Sequence, residues 1–463
     1  MKKIQFNTHW MAKAGMIFLL TAFVSSCGWI DTAYNIDPDA PGDVPMALLL
    51  PGVQQSIGFT VLGNDAARPV GIWMQYYDGV ARQSYTQGRY QILPADVNNY
   101  WGSIYTDAMI NSKILLDKAE AEGSPHNAGV AKVLMAFTME IATDLFGDIP
   151  YSEALKGSEN ILKPVFDPQQ SIYNEIFSLL DGAVSDLGAE DEPVGIEGDV
   201  IYDGDPDAWI NAARAIKARA ELQLSKKNGS TAYSNALALV DAFGSNADNM
   251  VVPFESSNPN PLNQFMVERG DIRMNQTFLD ELEATGDPRI PFYFGDDIDG
   301  GISGSPTGQQ VETASVPGSY LASQTSPTVM ISYAELKFIE AEAALQTGDG
   351  ARAADAYKEA VAASLEQVTG EVDEDWMDAN INGESGSTLT MQDILTQKRA
   401  ALVGQIQPYS DWRRTGIPSL SLAPNATQTA IPRRYPYAQD EIVYNPDNIP
   451  AVGSVLVPVW WDE

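Results

Sequence analysis

The sequence predicts an all-α-dominated body in which antiparallel helix pairs support a loop-rich half. Three observations predict it. Apolar residues recur at helical spacing over much of the chain. Several neighbouring helical stretches are separated by short turns, which makes them antiparallel. Two long segments, 246–330 and 406–463, are rich in Asn, Pro, Gly and Ser and read as irregular chain that carries function.

Taken in order, the helical pattern is clearest over residues 130–146 (VAKVLMAFTMEIATDLF) and 171–187, the latter opened by Pro168 and a Ser. Residues 206–227 form another stretch, ended by Asn228-Gly229, and 231–243 follow at once. A helix pair is expected at 332–346 and 351–368, joined by Thr347-Gly348-Asp349-Gly350, with a last helix at 391–405. In the 332–368 pair, Ala341 faces Ala353, Tyr357 and Ala360, spaced by four and three. Small residues at those positions let two helices approach closely, and the aromatic fills the gap to the next pair. This is the pattern of a tetratricopeptide repeat and predicts a helix-pair superhelix. Residues 46–463 are read as one domain, with helix pairs about 102–245 and 331–405 and loop-rich stretches about 82–100, 246–330 and 406–463.

The N-terminus precedes that domain. Lys2, Lys3 and Lys13 form a basic region, residues 14–24 a short apolar run, and Ser25-Ser26-Cys27 closes it. A small-small-Cys ending resembles a bacterial lipoprotein signal, which implies cleavage before Cys27 and lipidation of that residue. Acyl chains contribute roughly 0.8 kcal/mol per buried CH2, so several of them anchor firmly in a membrane. Residues 27–45 read as a flexible tether. Cys27 is the only cysteine, so an internal disulfide is excluded.

Composition narrows the partners. The 463-residue chain is 44% hydrophobic, with nine Trp and a formal net charge of -34. Loss of residues 1–26 leaves 25 basic against 62 acidic side chains, a mature charge of -37. Such a charge repels nucleic acid and anionic surfaces and favours neutral ligands.

Catalytic and metal chemistry is thinly supplied. After cleavage the only histidine is His126, so a multi-His zinc site is excluded, and no G-x-S-x-G elbow or P-loop is present. Asp296, Asp297 and Asp299, and Asp203, Asp205 and Asp207, offer oxygens for Ca2+ but lack EF-hand spacing. For the second set a turn with an N-cap at Asp207 is favoured. No cofactor is expected. Glu335, Glu340 and Glu342 are expected on the polar face of a repeat helix.

Aromatic residues are more telling. Trp73, Tyr76, Tyr77, Tyr85, Tyr90, Tyr100 and Trp101 stand among Gln75, Arg82, Gln83, Gln87, Arg89 and Asn98. Aromatic faces stack on the C–H faces of sugar rings, and amides or guanidinium groups bond the hydroxyls. Trp73, Tyr76 and Tyr77 share helical spacing, so about half of the set is expected to be core. Tyr85, Arg89 and Tyr90 lie in a polar stretch and are the better ligand candidates. Trp73, Tyr77, Tyr293 and Tyr320 complete the candidate binding set; Tyr293 and Tyr320 belong to a second aromatic group with Phe292 and Phe294.

Five segments, in order, resemble one family. ATDLFGDIPYSEAL (142–155), GDPDAWINAARAIKARAEL (204–222), PTVMISYAELKFIEAEAAL (327–345), KRAALVGQIQPYSDWRRTGIP (398–418) and IPRRYPYAQDEIVYNPDNI (431–449) are similar to motifs of SusD/RagB-like outer-membrane lipoproteins. The resemblance implies a tetratricopeptide scaffold, a cell-surface location and a SusC-like TonB-dependent transporter as partner. It implies capture of an oligosaccharide without catalysis, and it carries over no binding residue. Peptide capture by the same architecture, a surface glycosidase with paired carboxylates, and a pure scaffold are the alternatives. Trp412, Arg413, Arg414, Arg433 and Arg434 are expected to pair with carboxylates or carbonyls.

Overall fold

The computed structural model describes residues 44–190 and 195–463. The expected signal segment, the lipidation site Cys27 and most of the tether lie outside the described residues. The body runs from Met46 to Glu463 as one compact unit.

Its main helices are α1 (Met46–Ser56), α2 (Asn64–Trp73), α3 (Arg82–Gly88), α4 (Ile110–Glu122), α5 (Pro125–Phe146), α6 (Gln169–Leu187), α7 (Pro206–Gln223) and α8 (Ser230–Leu237). They continue as α9 (Pro261–Glu268), α10 (Gln276–Glu283), α11 (Tyr333–Thr347), α12 (Gly350–Thr369), α13 (Met391–Ala401), α14 (Gln407–Thr415) and α15 (Gln439–Tyr444). Among the described residues, six short strands, β1 (Tyr77–Gly79), β2 (Ile149–Pro150), β3 (Phe166–Asp167), β4 (Met250–Val252), β5 (Ile272–Met274) and β6 (Thr328–Ile331), pair antiparallel as β1–β5, β2–β3 and β4–β6. Tyr77 stands opposite Met274, and Gly79 opposite Ile272.

The helices form a superhelix of pairs. α5 packs on α4 and α6, α6 on α7, α7 on α8, α8 on α11, α11 on α12, and α13 on both α11 and α12. Sequence dictates these contacts. α5 carries apolar or small residues on nearly every side, so Val133, Leu134, Phe137, Ile141 and Leu145 are all buried and the helix runs through the core. In the α11–α12 pair, Ala341, Ala353, Tyr357 and Ala360 are buried together with Phe338, as the repeat pattern requires.

Four local expectations are corrected. Asp205, not Asp207, caps α7: its carboxylate accepts from the Asp207 and Ala208 amides, and Pro206 takes the first helical position, where no N–H is needed. The 82–100 stretch is not chiefly loop, because α3 and a short helix at Asn98–Gly102 occupy it. α14 and α15 likewise interrupt the extended C-terminal stretch. Glu335, Glu340 and Glu342 are buried, because α11 is covered on its polar side as well and each carboxylate meets a cation. Glu335 accepts from Arg219 at 2.7 Å, Glu340 from Arg352 at 2.6 Å, and Glu342 binds Arg414 through two hydrogen bonds.

The stretch Met46–Trp73 is long and apolar enough by composition to cross a membrane. Its apolar face is spent inside the body instead: Leu50, Val53, Ile57, Val61, Ala66 and Val70 are buried, and a π-helical turn at Ile57–Val61 separates α1 from α2.

The scarce C-terminal cations act as pins. Arg413 donates to the Asp144 carbonyl at 2.5 Å and lies over the Tyr409 ring, 4.1 Å from its centre. Arg433 pairs with Asp462. Asp144, buried in α5, accepts from Tyr173 Oη at 2.6 Å and Trp461 Nε1 at 2.8 Å, so the chain end is fixed to the first helix pair.

Candidate functional site

The site grows from β1 and α3. β1 places Asp78 inside the body, where its carboxylate becomes the anchor of a distant loop. Oδ2 accepts from Ser305 Oγ at 2.6 Å and the Gln310 amide at 3.0 Å, and Oδ1 from the Gly308 amide at 2.7 Å. Burial pushes the Asp78 pKa above the ordinary carboxylate range, against the pull of these three donors. Residue 79 must be glycine: a Cβ there would sit 1.9 Å from the Ser84 carbonyl oxygen, where α3 crosses the strand.

A third segment closes on α3. Thr427 donates both its amide and its hydroxyl to the Arg89 carbonyl, each at 2.9 Å. Arg89 Nε donates to the Asn425 carbonyl at 3.1 Å, and Asn425 Nδ2 to the Gly308 carbonyl at 3.2 Å. Tyr90 is buried in the left-handed region, φ +61°, and its hydroxyl accepts from the Ala423 amide at 3.1 Å. Residues 85–91, 305–310 and 421–428 therefore meet as one shelf. On it Tyr85 is half-buried, with the Arg89 guanidinium 5.4 Å from its ring centre, and Gln309, Gln310 and Thr427 are exposed beside the same junctions. A planar aromatic, a guanidinium and several amides and hydroxyls on a cross-braced surface suit a ring that carries hydroxyl groups.

The other candidate residues are placed differently. Trp73 is fully buried, packed between Tyr409 at 5.6 Å and Tyr435 at 5.4 Å, with Nε1 donating to the Gln87 carbonyl at 3.1 Å. The helix stops at Trp73 because Gln75 is left-handed, φ +57°, so Tyr76 and Tyr77 leave the helix face assigned to them, and Tyr77 opens β1. Tyr293 is also fully buried, 5.7 Å from Tyr320 and 6.0 Å from Phe278. Tyr77 and Tyr320 line one cavity of about 90 Å³ between α2, α9, β6 and residues 403–407. The Tyr77 hydroxyl has no hydrogen-bond partner among the described residues, and Tyr320 Oη accepts from Gln367 at 3.0 Å.

In each of the two acidic clusters one carboxylate has a local structural role. Asp297 accepts from the Asp299 and Gly301 amides and from Ser303 Oγ, which folds its own turn, and Asp205 is occupied as the cap of α7. His126 lies in the first turn of α5, 2.8 Å from the Ala189 carbonyl oxygen. Gln309, Gln310, Asn425 and Thr427 were not visible as site residues in the sequence: they are separated from α3 by more than 200 positions, and only a Pro-Thr-Gly turn at 306–308 marks the loop.

A family model described as starch-binding associating with outer membrane, SusD-like, matches residues 42–438. The chain belongs to this SusD-like family. Solved structures agree with that assignment. A SusD/RagB family protein from Bacteroides thetaiotaomicron is 26% identical, covers 91% of this chain and 99% of its own, and superposes with a TM-score of 0.77. A chitin-binding SusD homolog from Flavobacterium johnsoniae is 22% identical over 90% of this chain and 98% of its own, TM-score 0.77. A SusD homolog from Bacteroides uniformis is 20% identical over 91% and 100%, TM-score 0.76. No curated protein matches the sequence. The SusD-like fold accounts for the order seen here, with helix pairs as frame and the β1–α3 shelf mounted on it.

Proposed function

We propose that this SusD-like chain captures neutral oligosaccharides at the outer-membrane surface, without catalysis, and hands them to a SusC-like TonB-dependent transporter. The observation that carries the reading is the shelf, where Tyr85 and Arg89 are presented half-exposed on a backbone braced by two distant loops. The family description names starch, and two structural neighbours are named chitin-binding, which points to neutral polymers. The charge of -34 favours the same class. Lipidation at Cys27 would keep the catcher beside its transporter.

Calorimetric titration with maltohexaose and chitohexaose tests the reading. One of the two binds, Tyr85→Ala weakens it about tenfold, equal to about 1.4 kcal/mol, and melting stays unchanged. Failure of both sugars, or a variant that unfolds, contradicts it. New reducing ends released from either polymer would instead support a glycosidase. Co-purification of a membrane barrel tests the transporter, and its absence from a native membrane extract counts against the delivery role.

A further inference from the structure

On the opposite side of α3 from Tyr85 lies a groove of about 250 Å³. Gln83 and Tyr85 are two positions apart, hence about 200° around the helix. The groove has an apolar floor of Phe59, Phe265 and Pro261. Phe265 is backed by the buried Arg68 guanidinium, 4.6 Å from the ring centre, and Arg68 is itself held by Ser84 Oγ at 2.9 Å and Gln87 Oε1 at 2.6 Å on α3. The floor is thus fixed to the helix that carries the shelf.

The walls carry unused polar groups. Gln83 and Glu268 make no side-chain hydrogen bond to any described residue. Gln264 donates Nε2 to the Pro259 carbonyl at 2.7 Å, and its Oε1 accepts no bond from any described residue. The nearby charges are internally balanced: Asp271 receives Arg82 at 2.5 Å and Arg269 at 3.3 Å. A groove with an aromatic floor, amide edges and one carboxylate left to accept, beside an Asp271 that is already paired, suits a neutral ring bearing several hydroxyl donors.

We infer that this groove is a second pyranose-binding subsite, so that one neutral oligosaccharide spans α3 with separate rings on the shelf and in the groove. The inference rests on the proposed glycan capture and extends it to chain length: short oligomers use the shelf, and longer ones gain the groove.

The test is a length series, from disaccharide to hexasaccharide of the sugar that binds, titrated into the wild type, Gln83→Ala/Glu268→Ala and Tyr85→Ala. Wild-type affinity rises with length by about tenfold or more. The groove double variant loses that rise and keeps disaccharide affinity, while Tyr85→Ala loses both. Thermal melting confirms that the double variant is folded, and Gln83→Asn/Glu268→Gln restores part of the rise. A double variant with the wild-type length dependence overturns the groove and leaves glycan capture standing. A wild type that binds no oligomer overturns both.

Discussion

The helix-pair frame and the β1–α3 shelf are held together by different means. In the frame, buried carboxylates face buried cations: Glu335 meets Arg219, Glu342 meets Arg414, and Lys398 lies 2.8 Å from Asp411. At the shelf, a single carboxylate, Asp78, takes two backbone amides and a hydroxyl, carbonyls of residues 89, 308 and 425 accept further bonds, and the Tyr90 hydroxyl accepts the Ala423 amide. The first arrangement locks rigid elements at fixed crossings. The second shapes irregular chain that has no ladder of its own to satisfy its polar groups. Scaffold and site therefore respond to different substitutions.

The largest expected effect is in the frame. Glu342→Ala leaves the buried Arg414 guanidinium with Asp411 and the Ser225 hydroxyl as partners in place of a bidentate carboxylate, and destabilises the protein by about 3–5 kcal/mol. Denaturant unfolding measures it, and sugar affinity of the folded protein stays at the wild-type value. An intermediate effect is expected at the shelf: Asp78→Ala strands the Ser305, Gly308 and Gln310 donors at a cost of about 1–3 kcal/mol. Here affinity falls as well, because the 305–310 loop loses its anchor. Should Asp78→Ala leave binding intact, the loop is not part of the site.

The frame also carries a pH dependence. Burial pushes the Glu140 carboxyl up to about 8, while Arg219 at 3.4 Å pulls it down. The folded protein then holds a proton that the unfolded chain releases above its ordinary value of 4.5. Stability contributed by this group accordingly falls as pH rises between about 4.5 and about 8. Glu140→Gln removes that slope, which unfolding free energies measured across the window will show. An unchanged slope assigns it to another group.

The two regions also differ in how far the sequence reveals them. Ala341, Ala353, Tyr357 and Ala360 were readable because helical periodicity puts partners three and four positions apart. The burial of Glu335 and Glu342 was not readable, since a carboxylate on a helix looks the same whether its cation lies across a packed interface or not. At the site, Tyr85 and Arg89 stood out by their polar setting, and α3 itself was hidden by a short, Gly-containing stretch. Tyr90 shows the limit most plainly. An aromatic among polar neighbours suggested ligand contact, but its left-handed backbone turns the ring inward to receive the Ala423 amide, more than 300 positions away. No local pattern encodes that partner.

The central claim is that the frame supports and the β1–α3 region binds. Hydrogen–deuterium exchange of the whole protein, with and without the tighter-binding of maltohexaose and chitohexaose, tests it most directly. The account predicts slowed exchange in residues 82–91, 303–313 and 420–428, and no change in α11, α12 and α13. Protection confined to those three helices would contradict it.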